Sequence, residues 1–231
     1  MRRSSRVPTP SVVVSEGIFG LALLTIAAVA GYLLIRRPWA NRIDAAGFSA
    51  LPADPGSLLY HRIADIGSLP FLLGGIALSI VLSIWRDWPR ALACFFGPVA
   101  AVLTTEQVAK PLVARHLVVS GGDSYPSGTV TAAAALVTVV MLASPILLRP
   151  FVGLAGLCVI GAVGTAVVGM RWHFPTDAIG GACVGVGAVL TLDAIVHLPR
   201  SIAAHRHAES PPDIERYYAT STATSTATST R

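Results

Sequence analysis

Charge is what this sequence has least of. Asp, Glu, Lys and Arg make up 13% of its 231 residues, about half the share of an ordinary soluble domain. Apolar residues account for 53%, and the mean hydropathy is +0.66. So little polar surface excludes a water-exposed globule, and so much apolar surface excludes disorder over most of the chain. Cysteine is scarce as well. Cys94, Cys158 and Cys183 each sit inside an apolar run, which excludes a disulfide scaffold and a cysteine metal site and reads as three small buried hydrophobes. Lysine occurs once, at Lys110, and the resulting arginine bias points to a GC-rich bacterial source. The basic residues behind the net charge of +5 are scattered in ones and twos, without the basic helix or aromatic-interleaved patch that nucleic-acid binding requires. What remains is an all-α integral membrane protein of one domain.

A spanning helix needs about 20 predominantly apolar residues. Six stretches fit: Ile18–Ile35, Leu69–Trp85, Ala91–Ala109, Gly128–Leu148, Phe151–Met170 and Ala178–Leu198. They predict a six-helix membrane domain over residues 16–199. Residues 1–15 then form a cytoplasmic N-terminal segment, and residues 200–231 a disordered cytoplasmic tail ending in a threefold Ala-Thr-Ser-Thr repeat at Ala219–Thr230. The first stretch, preceded by Arg2, Arg3 and Arg6, has a second reading as a secretory signal peptide, against which stand its length and the basic residues that follow it. Six spans put both termini on one side. The segments on that side hold Arg2, Arg3, Arg6, Arg86, Arg90, Arg149, Arg200, Arg206, Arg216 and Arg231, against Arg36, Arg37, Arg42 and Arg62 opposite once three candidate site cations are set aside. That bias places the termini in the cytoplasm. The loop at about 36–68 is long enough to fold partly over the outer face.

Two outer loops concentrate polar residues. One runs from Lys110 through Arg115 and His116 to Ser120-Gly-Gly-Asp-Ser-Tyr-Pro-Ser127-Gly128-Thr129; the other is Met170-Arg171-Trp-His173-Phe-Pro175-Thr-Asp177. Ionisable groups at the rim of a membrane bundle point to a site, because burying them unpaired costs several kcal/mol. Lys110, Arg115 and Arg171 form a positive set, arginine being suited to bidentate phosphate contact. Ser127 is a good helix N-cap, whose first-turn N–H groups make an anion site, and Gly128 lets the backbone come close to the anion. His173 has the means to be a nucleophile. Pro175 suits the first turn of the last span and brings Asp177 within reach of His173.

Each feature also has a structural reading. Pro-Ser-Gly is a common helix start, His173 an interfacial histidine beside Trp172, Asp177 a first-turn carboxylate favoured by the helix dipole, and Arg115 and Arg171 headgroup anchors. Glu106, Asp193 and His197 read as packing or interfacial groups.

In these loops the chain resembles the type 2 phosphatidic acid phosphatases, or lipid phosphate phosphatases, from roughly the third to the sixth span. That family's pattern is Lys-x6-Arg-Pro, then Pro-Ser-Gly-His, then Ser-Arg-x5-His-x3-Asp. Pro126-Ser127-Gly128 and His173-x3-Asp177 match in residue and order. The resemblance implies a membrane lipid phosphatase acting on a lipid phosphate or polyprenyl pyrophosphate, with no metal and no cofactor. It implies a phosphohistidine on His173, with Asp177 holding the other ring nitrogen and the phosphate bound by Lys110, Arg115, Ser127, Gly128 and Arg171. Its partners are then membrane lipids and a lipid phosphate substrate, and its place the inner membrane of a bacterium with the site on the outer face.

Three departures stand out. Leu117 occupies the place of the first motif's Arg, with Arg115 two positions earlier; Thr129 replaces the second motif's His; and Ala166-Val167 replace Ser-Arg, leaving Arg171 as the nearby guanidinium. In the family the replaced His protonates the leaving oxygen, which a threonine hydroxyl is too weak an acid to do. Three outcomes follow: a preference for pyrophosphates, whose leaving group needs little protonation; a relocated acid, with His116 as candidate; or a family member that binds a phospholipid or partner without turnover.

Overall fold

The computed structural model describes residues 8–36, 38–84, 87–117 and 122–209. It is all-helical apart from one two-residue antiparallel pair. The helices are α1 (Pro10–Arg36), α2 (Pro38–Ala50), α3 (Leu58–Ala64), α4 (Leu69–Ile84), α5 (Trp88–Leu103), α6 (Lys110–Val113), α7 (Gly128–Ala143), α8 (Arg149–Gly169) and α9 (Pro175–Glu209). A single 3₁₀ turn (Asp65–Gly67) precedes α4, and a π-helical turn (Thr104–Ala109) joins α5 to α6. The pair β1 (His116–Leu117) and β2 (Gly122–Asp123) closes the loop before α7.

Among the described residues four helical stretches are long and apolar enough to cross a membrane: Pro10–Leu33, Trp88–Val113, Arg149–Gly169 and Pro175–Arg206. Leu58–Gly67 with Leu69–Ile84, bent by 42°, makes a fifth. The expected count of six membrane-length spans is therefore corrected to four, or five with the bent pair. The shortfall lies at α7, which has 16 residues. Pro145 forces Ser144 out of the helical region, and Ser144 is indeed extended, so the helix stops at Ala143 and not at Leu148. A short helix is tolerable there because α4, α5, α8 and α9 wall it off from the surroundings. Around the outside, Phe19, Leu21, Leu78, Val81, Phe95, Phe96, Leu154, Leu157, Ile179 and Ile195 are exposed, an apolar belt of the kind lipid covers.

Between membrane helices the contacts come from close backbone approach, which small residues permit. The middle of the bundle is α7 and α9. Ala133, Ala134 and Ala135 of α7 have no exposed surface. A Cβ on Gly185 of α9 would lie 2.5 Å from the Thr131 carbonyl oxygen, and one on Gly181 2.5 Å from that of Ser127. On the other side of α9, a Cβ on Gly20 of α1 would lie 2.9 Å from the Gly187 carbonyl. These crossings fix the start of α7 against the first turns of α9. Of the cysteines, only Cys94 matches the expected burial: Cys183 is intermediate and Cys158, on the outer flank of α8, is exposed. Helix α9 continues to Glu209, past the boundary expected at 200. The Ala219–Thr230 repeat and Arg2, Arg3, Arg6, Arg86, Arg216 and Arg231 lie outside the described residues.

The end of the bundle away from the two polar loops is tied by charge. Arg90 forks onto Asp193 at 3.2 and 3.3 Å, and His197 bridges Asp87 (2.9 Å) and the Asp193 carbonyl (2.8 Å). Burial pushes the Asp87 carboxyl up, but the His197 hydrogen bond and the charges of His197, Arg90 and Arg200 outweigh it, and the net shift is downward. A carboxyl with a depressed folded value stabilises the fold above its ordinary value of 3.8 and loses that contribution as pH falls through the folded value. Thermal unfolding in detergent should therefore show a midpoint that drops on acidification below this range, and Asp87→Asn should flatten the drop. An identical acid slope in the variant would remove Asp87 from the explanation.

Candidate phosphate site at one end of the bundle

The two polar loops meet. The Ser127 N–H donates to the Asp177 carbonyl at 3.0 Å, and His173 Nδ1 lies 3.0 Å from the Ser124 carbonyl. The loop between β2 and α7 is pinned by Tyr125, whose hydroxyl donates to the Ala27 carbonyl of α1 at 2.5 Å. Its ring fills the space left by Gly31 and Gly180, where a Cβ would stand 2.8 and 2.7 Å from ring carbons. Burial raises the Tyr125 phenol well above its ordinary value.

Ser127 caps α7 as its residue type predicts, its Oγ accepting from the Val130 N–H at 3.4 Å. The first turn of α7 therefore starts at Gly128. A Cβ on Gly128 would lie 2.5 Å from Glu106 Oε1 and 3.7 Å from Lys110 Nζ, so the glycine lets the Glu106 carboxylate come close to the helix start. Both side chains are brought there by the π turn. Pro111 has no N–H to continue a regular ladder, the register widens over Thr104–Ala109, and buried Thr105 joins its hydroxyl to that of Thr131 on α7 at 3.1 Å. Lys110 Nζ donates to both Glu106 oxygens at 2.7 and 2.8 Å. Short π segments recur at functional sites.

Lys110, Ser127 and Gly128 thus meet at the start of α7, and His173 meets the loop that leads into it at Ser124. The remaining expected site residues are placed differently. Asp177 does not hold the ring of His173: its Oδ2 is 3.9 Å from Nδ1, beyond hydrogen-bond range. That oxygen instead accepts from the Phe174 N–H at 2.9 Å, reaching back as a third-position carboxylate does in a capping box, and Oδ1 accepts from Arg115 Nη1 at 2.8 Å. Arg115 is committed to carboxylates. It also meets the Thr176 hydroxyl (2.9 Å) and Asp44 of α2, and lies flat over the Phe174 ring at 3.8 Å. Arg171 has a left-handed backbone (φ 61°), an uncommon conformation for a non-glycine residue. Its Nη2 donates to the Phe48 and Leu51 carbonyls at 2.9 Å each, closing the end of α2, and its buried Nη1 has no hydrogen-bond partner. Thr129 turns its methyl towards Gly67. His116 lies in β1, and its side chain is outside what the structure describes.

Two residues at this end were not picked out from the chain as site residues. Asp44 accepts from the Thr176 N–H at 2.9 Å and from Arg115, so α2 clamps the start of α9; its one signal was being an acid within a basic, apolar stretch. Glu106 was read as a packing group, although it stands i, i+4 from Lys110. Among the described residues no group of three or more His, Cys, Asp and Glu is placed to hold a metal ion.

The helices make an all-α, multi-pass membrane bundle with a lysine, a capped helix start and an imidazole towards one end. The sequence matches the PAP2 superfamily over residues 71–198, more than half of the chain, and the protein belongs to that family. No curated protein matches it. Among solved structures it is similar to the transmembrane PAP2-type phosphatidylglycerolphosphate phosphatase of Bacillus subtilis, at 20% identity and a TM-score of 0.46, covering 87% of this chain and 98% of that one.

Proposed function

We propose that this PAP2-superfamily protein is a lipid phosphatase that works through a phosphohistidine on His173. The observation that carries the reading is the meeting of Lys110, the Ser127–Gly128 helix start and His173 in one place. The free N–H groups of that first turn attract an anion, and Lys110 adds a full charge beside it. The unpaired Nη1 of Arg171 is the guanidinium donor left for a phosphate oxygen. Arg115 acts one step back, fixing Asp177 and Thr176 at the start of α9. Phosphoryl transfer asks for little beyond such positioning and charge.

His173 Nδ1 faces a carbonyl, which only accepts, so that nitrogen carries the proton and Nε2 keeps its lone pair for attack on phosphorus. In this reading the termini face the cytoplasm, and the site opens at the outer face of a bacterial inner membrane, where it meets lipid headgroups. Thr129 cannot protonate a leaving alkoxide. Either another group supplies that proton, or a polyprenyl pyrophosphate, whose leaving phosphate needs little protonation, is the faster substrate and a phosphatidate the slower.

Purified protein in detergent should release inorganic phosphate from both, and faster from the pyrophosphate by about tenfold or more where no group replaces the missing acid, within the range a general acid is worth. Equal rates would end the pyrophosphate preference. Absence of release from either, with retained binding, would leave a protein that holds a phospholipid without turning it over.

A further inference from the structure

We propose, building on the phosphatase reading above, that Glu106 is the general acid that Thr129 cannot be. Glu106 is the carboxyl group standing on the first turn of α7: its Oε1 lies 2.5 Å from where a Gly128 Cβ would be, and both its oxygens are held by Lys110. Its side chain is 39% exposed and paired with that lysine, which is 21% exposed, so both are accessible to what binds at the helix start. The hydroxyl of Ser127 is turned into its own helix as a cap, and the methyl of Thr129 packs against the turn before α4. Neither takes the place of a titrating group.

The chemistry follows from two like charges at one place. A phosphate settling on the α7 start competes with Glu106 for Lys110. In its protonated form the freed carboxyl holds its proton beside the leaving oxygen. Nε2 of His173 forms the N–P bond while the P–O bond to the lipid breaks. The electron pair stays on that oxygen, which takes the Glu106 proton and departs as the alcohol. In the second half Glu106, now a carboxylate, takes a proton from the water whose oxygen attacks phosphorus. The N–P bond breaks, inorganic phosphate leaves, and imidazole and carboxylic acid are restored. An i, i+4 pair with no part in turnover is the competing account.

Glu106→Gln separates the two, because the amide oxygen still accepts from Lys110 at nearly the same size but has no proton to give. The full chain in detergent is assayed for phosphate release from dodecyl phosphate, whose alkoxide needs a proton, and from p-nitrophenyl phosphate, whose phenolate does not. The expected loss is 10²–10⁴-fold on the alkyl ester and at least tenfold smaller on the aryl ester. Glu106→Asp, which keeps a carboxyl, should hold the alkyl-to-aryl ratio nearer that of the parent, and unfolding midpoints confirm that each variant is folded. Equal losses on the two esters, or no loss on the alkyl ester, would overturn the assignment of Glu106 while leaving the phosphatase reading intact. A parent protein that releases phosphate from neither ester would overturn both.

Discussion

Arg115→Ala is expected to cost about 3–5 kcal/mol of stability, the range for removing one partner of a buried ion pair. The guanidinium is the shared counter-ion of Asp44 and Asp177, whose side chains are 2% and 0% exposed. These carboxylates come from α2 and from the first turn of α9, and Thr176 donates to Asp44 through its hydroxyl and N–H and accepts from Arg115. Without Arg115 two desolvated negative charges face one another at the join that holds the site. Folded proteins keep a margin of only about 5–15 kcal/mol, so the unfolding midpoint in detergent should fall steeply. Arg115→Lys should recover part of it, since an ammonium supplies the charge but not the planar fork. Asp44→Asn combined with Arg115→Ala should destabilise by less than the two single losses summed, because one of the orphaned charges is gone. If Arg115→Ala leaves the midpoint unchanged and lowers only turnover, the guanidinium is a phosphate ligand and not the strut that its hydrogen bonds describe.

That network marks the boundary of what the chain alone discloses. The rim on which the chemistry sits was legible, because consecutive apolar stretches alternate in direction and so bring the 110–129 and 170–177 segments to the same end. The cap at Ser127 and the glycine after it were legible because their causes are local: an N-cap hydroxyl and a backbone that must be approached closely. The partner of Arg115 was not. Asp44 lies 71 residues away, in a loop whose packing over the rim follows from tertiary contact alone. Asp177 was expected to turn to His173 because the spacing permits it, yet the stronger claims on it are the buried guanidinium and the N–H of Phe174. The span count failed for a related reason. Composition treats every apolar run as facing lipid, whereas α7 is enclosed by protein and ends early at Ser144-Pro145. Glu106 reads from the chain as a packing or interfacial group near the end of a span, and only the π turn carries it onto Gly128.

His173→Ala should show the opposite signature to Arg115→Ala: turnover reduced on the order of 10³-fold or more, the scale on which loss of a covalent nucleophile is felt, with the unfolding midpoint little changed. The imidazole makes one 3.0 Å hydrogen bond, to the Ser124 carbonyl. That bond is a modest stabiliser, worth about 1 kcal/mol, but it decides the tautomer. In the neutral ring a carbonyl acceptor at Nδ1 draws the proton to that nitrogen and leaves the lone pair on Nε2 for attack. His173→Gln keeps a polar group near the Ser124 carbonyl without an imidazole. It should resemble the parent in stability and the alanine variant in rate, which separates nucleophile from packing group. Brief incubation with ³²P-labelled lipid phosphate followed by alkaline denaturation should trap label on the parent protein, as the N–P bond survives base and is lost in acid, and none on either variant. Label retained by His173→Ala, or turnover within a few-fold of the parent, would mean that the attack on phosphorus starts elsewhere and that the convergence of Lys110, Gly128 and His173 serves binding alone.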